Sequence, residues 1–145
     1  MRIDRFWKEY KFLDNFADTL IEYEGVMYTS VEAAFQSAKT FDMETRKRIA
    51  RYSPMDAKRA GRKLQLRPDW ENVKEDIMYE LLKKKFQNDG LGYRTKLLAT
   101  GDAELIEGNN HKDSYWGVYK GVGKNRLGYL LMKVRAELRE ESKND

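Results

Sequence analysis

The chain has 145 residues, with 41% hydrophobic, 12% aromatic and 36% charged positions and a net charge of +4. That length suits a single domain, 1–145, with a core of its own, and so high a charge fraction predicts helices with solvated faces rather than a sandwich. The absence of cysteine and the single histidine, His111, exclude disulfides, thiol catalysis and the His-plus-two-Cys zinc site of nucleobase deaminases.

A Ser-His-Asp triad would have to recruit His111, and no nucleophile-elbow motif accompanies it. Carboxylates, lysines, amides and aromatics must therefore carry any chemistry, with no metal and no cofactor expected. No run approaches the roughly 20 apolar residues of a membrane span. Met1-Arg2-Ile3-Asp4 lacks a signal peptide's apolar stretch, so a cytoplasmic location without a membrane partner is expected. The positive charge favours anionic partners, phosphorylated metabolites or nucleic acid alike.

Residues 6–28 are aromatic and β-branched. Leu20 to Tyr23 and Val26 to Tyr28 read as a short hairpin around Glu24-Gly25. Phe6, Trp7, Tyr10, Lys11 and Phe12 either line a binding mouth or close the core, and core is the better reading. Thr29-Ser30-Val31-Glu32 fits a capping box that opens a helix through about Phe41. Ser53-Pro54 starts a second helix, with proline at its first position. The longest helix should run from about Asp69 to Asn88, its apolar period set by Trp70, Val73, Ile77 and Leu81. Tyr93 to Ala99 suits a short helix and Glu104 to Glu107 a strand. The last helix should start near Lys124, with Leu127, Leu130, Leu131, Val134 and Leu138 forming one stripe, and its tail from Arg139 to Asp145 should fray. The expected fold is mainly α: a compact helical domain with a small N-terminal β-hairpin.

Three segments could carry chemistry. Glu32, Gln36 and Lys39 are spaced i, i+4, i+7 and share one helix face, where acid, amide and amine could bind and protonate a polar substrate. By spacing alone the plainer reading is favoured, with Glu32 in a capping box and Lys39 solvated. Asp113 and Trp116 fall in an irregular stretch that suits either a ligand loop or a surface loop whose Trp plugs the core. Gly117 to Gly128 is glycine-rich and leads into a helix, a weak phosphate signal that matches neither a P-loop nor a dinucleotide fingerprint. Lys83-Lys84-Lys85 reads as a solvated face, although Lys85, one turn after Leu81, could point inward. His111 reads as exposed rather than catalytic.

Together these segments resemble the NADAR (YbiA-like) family. The matching pieces are Phe12-Leu13-Asp14-Asn15-Phe16, Tyr28 to Lys39, Ala60-Gly61, Trp70 with Met78, and Leu82 to Asn88. They continue with Leu97 to Asp102, Leu105-Ile106-Glu107, Asp113 to Gly117 and Gly123 to Met132. They keep the family order and cover about 12–135, and their ordered combination is specific where each piece is modest. The resemblance implies a helical fold with a pocket for an ADP-ribose-like ligand, and hydrolysis of N-glycosidic bonds. One branch of the family splits early riboflavin-pathway intermediates, and another removes ADP-ribose from guanine bases in nucleic acid. The substrate partner is accordingly a nucleotide-like small molecule or ADP-ribosylated nucleic acid.

The motif residues carried over are Asn15, Glu32, Gln36, Lys39, Trp70, Lys85, Asp113, Trp116 and Asn125. One departure is Ala33, where the family often has His, which leaves substrate preference open. On this reading Glu32 is the main acid/base and Asp113 positions a sugar hydroxyl or water. Lys39 is an alternative nucleophile through a Schiff base. Trp70 and Trp116 wall the ring, and Asn125 with neighbouring amides, Gly117 among the loop glycines, holds phosphate or ribose. A non-catalytic nucleotide or nucleic-acid binding module and a plain helical interaction domain are the rival readings.

Overall fold

The structure, a computed structural model, describes residues 1–144. Its elements run β1 (Arg2–Ile3), a 3-10 helix (Lys8–Leu13), β2 (Ile21–Tyr23), β3 (Val26–Tyr28), α1 (Val31–Ser37), α2 (Met43–Ile49), α3 (Pro54–Arg62), α4 (Trp70–Gln87), α5 (Tyr93–Ala99), β4 (Glu104–Leu105) and α6 (Arg126–Lys143). Helices hold about half of the described residues, so the mainly α class stands. The chain divides into two compact units: Asn15–Lys85, and Met1–Asp14 together with the chain from Phe86 onward.

In the Asn15–Lys85 unit, β2 and β3 form the expected antiparallel hairpin, with Ile21 opposite Tyr28 and Tyr23 opposite Val26. These four residues are buried while Glu22 and Met27 face out, the period of two that a half-buried ribbon requires. The turn places Glu24 and Gly25 at φ 48° and 86°. Both are left-handed, as tight hairpin turns matching strand twist demand. α1 follows at once and packs against α3 and α2. α3 starts as read, with the Ser53 side chain accepting from the Asp56 amide and proline in the first turn.

Two sequence expectations shift here. Ser30, not Thr29, caps α1, its hydroxyl accepting from the Ala33 amide at 3.0 Å. Glu32 thus moves from the third helical position to the second, out of the capping-box role. α1 also stops at Ser37 rather than Phe41, because its last carbonyls find a tertiary partner. Arg67 donates its amide to Lys39 O at 2.8 Å and its guanidinium to Ala38 O at 3.4 Å. Phe41 is left 62% exposed under that guanidinium. α2 was not expected. Asp42 caps it through the Thr45 amide, but only Arg46 and Ile49 are buried, too few apolar positions to mark a helical period.

In the other unit, β1 pairs in parallel with β4, Arg2 opposite Glu104 and Ile3 opposite Leu105. A two-residue strand has no period to read, so β1 escaped the sequence, and β4 is shorter than the expected 104–107. Phe12 meets Phe86 edge-on at 6.5 Å and lies 6.2 Å from Tyr93. Phe6 and Phe12 close this core as expected, whereas Trp7 is 56% exposed. The α6 stripe Leu127, Leu130, Leu131, Val134 and Leu138 is buried throughout. α6 continues to Lys143 instead of fraying from Arg139, held by Arg139 on Gly101 O at 2.6 Å and Asp102 at 3.1 Å. Asp145 lies outside the described residues. Among those residues no helix is long and apolar enough to cross a membrane.

Candidate active site

Every residue of α1 is buried, although the helix carries a carboxylate and an amide. Burying a carboxylate costs several kcal/mol unless other groups compensate it. Glu32, 8% exposed, is held by Gln36, whose Nε2 donates to its Oε1 at 2.8 Å. Lys39, half-buried two residues beyond the helix, lies within the electrostatic reach of both Glu32 and Arg62. Burial is the largest influence on Lys39 and lowers its pKa. Glu32 pulls the other way and Arg62 adds to the lowering. The amine is thereby eased toward its neutral, nucleophilic form. Glu32 and Gln36 share the helix as the spacing predicts, whereas Lys39 follows its end, and the half-burial of Lys39 departs from the solvated reading.

Three further motif residues, Asn15, Trp70 and Lys85, belong to the same unit. The Asn15 carbonyl accepts the Glu32 amide at 3.1 Å, which ties the chain before the hairpin to the first turn of α1. The Asn15 side chain rests its Nδ2 3.7 Å from the Met78 sulfur. Its Oδ1 and the Gln36 Oε1 are buried acceptors without a protein donor. Such an acceptor costs about 1–3 kcal/mol and is more often retained where a ligand or water supplies the missing hydrogen. Lys85 on α4 does turn inward and is 2% exposed. Trp70, 5% exposed, packs on Phe35 of α1 with ring centroids 5.0 Å apart. It is a wall beneath α1 rather than an open stacking face.

Sequence reasoning gave no role to Gly61. A Cβ on Gly61 would collide with Gln36 Oε1 and lie 2.6 Å from its Cδ, so the missing side chain makes room for the amide that holds Glu32. A glycine inside a helix, where it is disfavoured by about 1 kcal/mol, was the signal available. Arg46 was missed as well. Its side chain is 4% exposed, donates to Thr40 O and Glu24 at 2.9 Å each, and lies 5.5 Å from the Tyr23 ring.

The second group of motif residues lies in the other unit. Asp113 Oδ1 accepts from the amides of Tyr115 at 3.1 Å and Trp116 at 2.9 Å, closing a turn on its own backbone. Asn109 braces that turn, accepting the Asp113 amide at 3.0 Å and donating to Asp113 O at 2.9 Å. Trp116 is partly exposed and meets Tyr115 edge-on at 5.0 Å. A Cβ on Gly117 would strike Glu107 and Asn109, so the loop closes only with glycine there. Asn125 has φ 51° and ψ 42°, and its side chain bridges two backbone groups. Oδ1 accepts the Glu107 amide and Nδ2 donates to Leu105 O, each at 2.9 Å.

The amides of Lys124, Asn125, Arg126 and Leu127 donate to the carbonyls of Ser114, Gly117, Tyr115 and Trp116. The phosphate cradle expected from Asn125 and its neighbours therefore meets amides already engaged, and the glycine-rich segment is a braced loop. His111 is exposed, as read. Among the described residues no three His, Cys, Asp or Glu side chains are grouped so as to hold a metal ion.

The NADAR domain matches residues 5–139. The N-glycosidase YbiA of Escherichia coli strain K12 is 42% identical over 134 residues, covering 90% of this chain and 82% of that protein. A riboflavin biosynthesis protein of Vibrio vulnificus is 38% identical over 136 residues, 90% of this chain but 36% of its own length. The NMR structure of E. coli YbiA has a TM-score of 0.86 at 39% identity, covering 100% of this chain and 90% of that one. The chain belongs to the NADAR family.

Proposed function

We propose that this protein is a hydrolase that cleaves the N-glycosidic bond of a nucleotide-like substrate, with Glu32 as its principal acid/base. The observation that carries the proposal is the buried Glu32–Gln36 pair with the half-buried Lys39 beside it. The names of the relatives, an N-glycosidase and a riboflavin biosynthesis protein, support the reaction class.

Breaking a C–N glycosidic bond leaves the bonding pair on the base and develops positive charge on the sugar. A fixed carboxylate stabilises that cation. It also takes a proton from the attacking water and can return one to the departing base. Gln36 sets the orientation of the Glu32 carboxylate through its bond to Oε1. Lys39 offers a second route: with the ribose opened to an imine of the base, a neutral amine adds to the anomeric carbon and expels the base with its nitrogen, and water then hydrolyses the resulting Schiff base to free the lysine and the sugar aldehyde. Asp113 and Trp116 enter the proposal through the family motif, as a hydroxyl- or water-positioning group and a ring contact. Residues 1–145 are taken as one NADAR domain, since the family match runs through both units.

The substrate is either a riboflavin-pathway ribose phosphate or an ADP-ribosylated guanine in nucleic acid. Glu32→Gln separates enzyme from binding module. It should abolish turnover while ligand affinity measured by calorimetry stays within a few-fold. Turnover that persists in the variant removes Glu32 from the mechanism.

A further inference from the structure

The positive charge of this chain is concentrated in one place. Residues 43–63 contain eight Lys and Arg against two Asp and Glu, a net +6, whereas the whole chain carries +4 and everything outside the segment sums to −2. The segment comprises α2, α3 and the turn between them. Of its cations only Arg46 is buried, and Lys47, Arg48, Arg51, Arg59, Arg62 and Lys63 are exposed. Between the two helices lies a cleft of about 570 Å³ lined by Arg48, Arg59 and Lys63, with Tyr52 in its wall. Asp56 is the one carboxylate in the lining, and it is partly neutralised by Arg59 at 3.4 Å.

We propose that this α2–α3 face docks the phosphodiester backbone of a single-stranded nucleic acid. A single phosphate group would call for cations converging on one point. Here they are spread over two helices, as a polymer with a charge at every nucleotide requires. A concave floor with an accessible tyrosine also suits a strand whose bases can stack, more than a flat lipid surface. The cleft is set apart from Glu32 in its chemistry, but α3 links the two. Gly61 backs Gln36, while Arg59, Ala60 and Lys63 of the same stretch line the cleft. A strand held there would lie beside the helix that carries the proposed catalytic carboxylate. The inference concerns binding alone, so it stands or falls separately from the hydrolase reading.

The test is fluorescence anisotropy with an unmodified oligothymidylate of about 16 nucleotides, titrated across a salt series. The full chain is compared with the triple variant Arg48→Gln, Arg59→Gln, Lys63→Gln, whose fold is checked by circular dichroism. Wild type should bind with a clear salt dependence. The variant should bind at least tenfold more weakly, with the slope of log K against log salt smaller by about 2, since each lost phosphate contact on a single strand contributes about 0.7. Base release from a low-molecular-weight substrate should stay within twofold. Equal affinity and slope in variant and wild type would overturn the proposal, as would no oligonucleotide binding at low salt. Binding to phosphatidylserine vesicles that depends on the same three residues, without oligonucleotide binding, would overturn it in favour of a membrane.

Discussion

Gly61→Ala offers a sharp test of how the site is built, because propensity and packing predict opposite signs. In an exposed helix the added methyl group would stabilise by about 1 kcal/mol. At Gly61 it would collide with Gln36 Oε1, lie 2.6 Å from Cδ and 3.1 Å from Cβ, all of one buried side chain. Gln36 must swing away, breaking its 2.8 Å bond to Glu32. A hydrogen bond to a charged partner contributes about 1.5–3 kcal/mol, and the overpacked methyl adds to the loss. After the helix gain is subtracted, the variant should be destabilised by about 1–2 kcal/mol. At about 2–4 °C per kcal/mol for a chain near this size, Tm falls by a few degrees in a thermal melt. Base release should drop at least tenfold, mostly in kcat, because Glu32 is no longer oriented. Adding Gln36→Ala removes the obstacle. In the double variant the Gly61→Ala cost should shrink or change sign, giving a coupling of about 2 kcal/mol in a double-mutant cycle. A neutral or stabilising Gly61→Ala with full activity and no coupling would refute the packing argument.

Lys39 is held with its pKa below the usual lysine range, chiefly by burial, so the folded state penalises its charge. The native form then binds fewer protons than the unfolded one as pH rises toward 10.5, and stability should climb with pH there. Lys39→Met should be more stable than wild type at pH 7 and lack that alkaline climb in chemical denaturation. If Lys39 is also the nucleophile, borohydride should trap a substrate adduct that the variant does not form.

Arg46→Met should cost about 2 kcal/mol in urea melts, since it strips the buried guanidinium's bonds to Thr40 and Glu24. It should also flatten the acid limb. The Arg46 hydrogen bond holds Glu24 below its ordinary 4.5, so that contribution is present above pH 4.5 and lost as pH falls through the folded value. At Asn125 the left-handed backbone and the two side-chain bonds separate cleanly. Asn125→Gly loses only the bonds, whereas Asn125→Ala adds about 1 kcal/mol of left-handed strain, which paired melts should resolve.

What the sequence made legible follows from where periodicity was strong. The span of α4 and the buried stripe of α6 were readable because apolar residues recur at helical spacing, and the hairpin because Glu24-Gly25 interrupts an alternating pattern. α2 was hidden by its charge, and β1 by its two-residue length. The Glu32, Gln36, Lys39 face was visible in spacing, but its burial was not, because α1 is covered by elements distant in sequence such as α3. Gly61 and Arg46 act through those same long-range contacts, which no local pattern encodes. The loop at 113–125 shows the converse. Its glycines suggested a phosphate cradle, yet its amides close on its own carbonyls.

The central claim is that Glu32 drives cleavage of an N-glycosidic bond. Base release, followed by chromatography, should be measured side by side on a phosphoribosylamino-pyrimidine of the riboflavin pathway and on guanosine-ADP-ribosylated DNA, with Glu32→Gln as the blank. The account predicts release from at least one substrate and a loss of about 10²–10⁴-fold in kcat for Glu32→Gln. No release from either substrate, with ADP-ribose still bound by both proteins, would contradict it and leave a binding module.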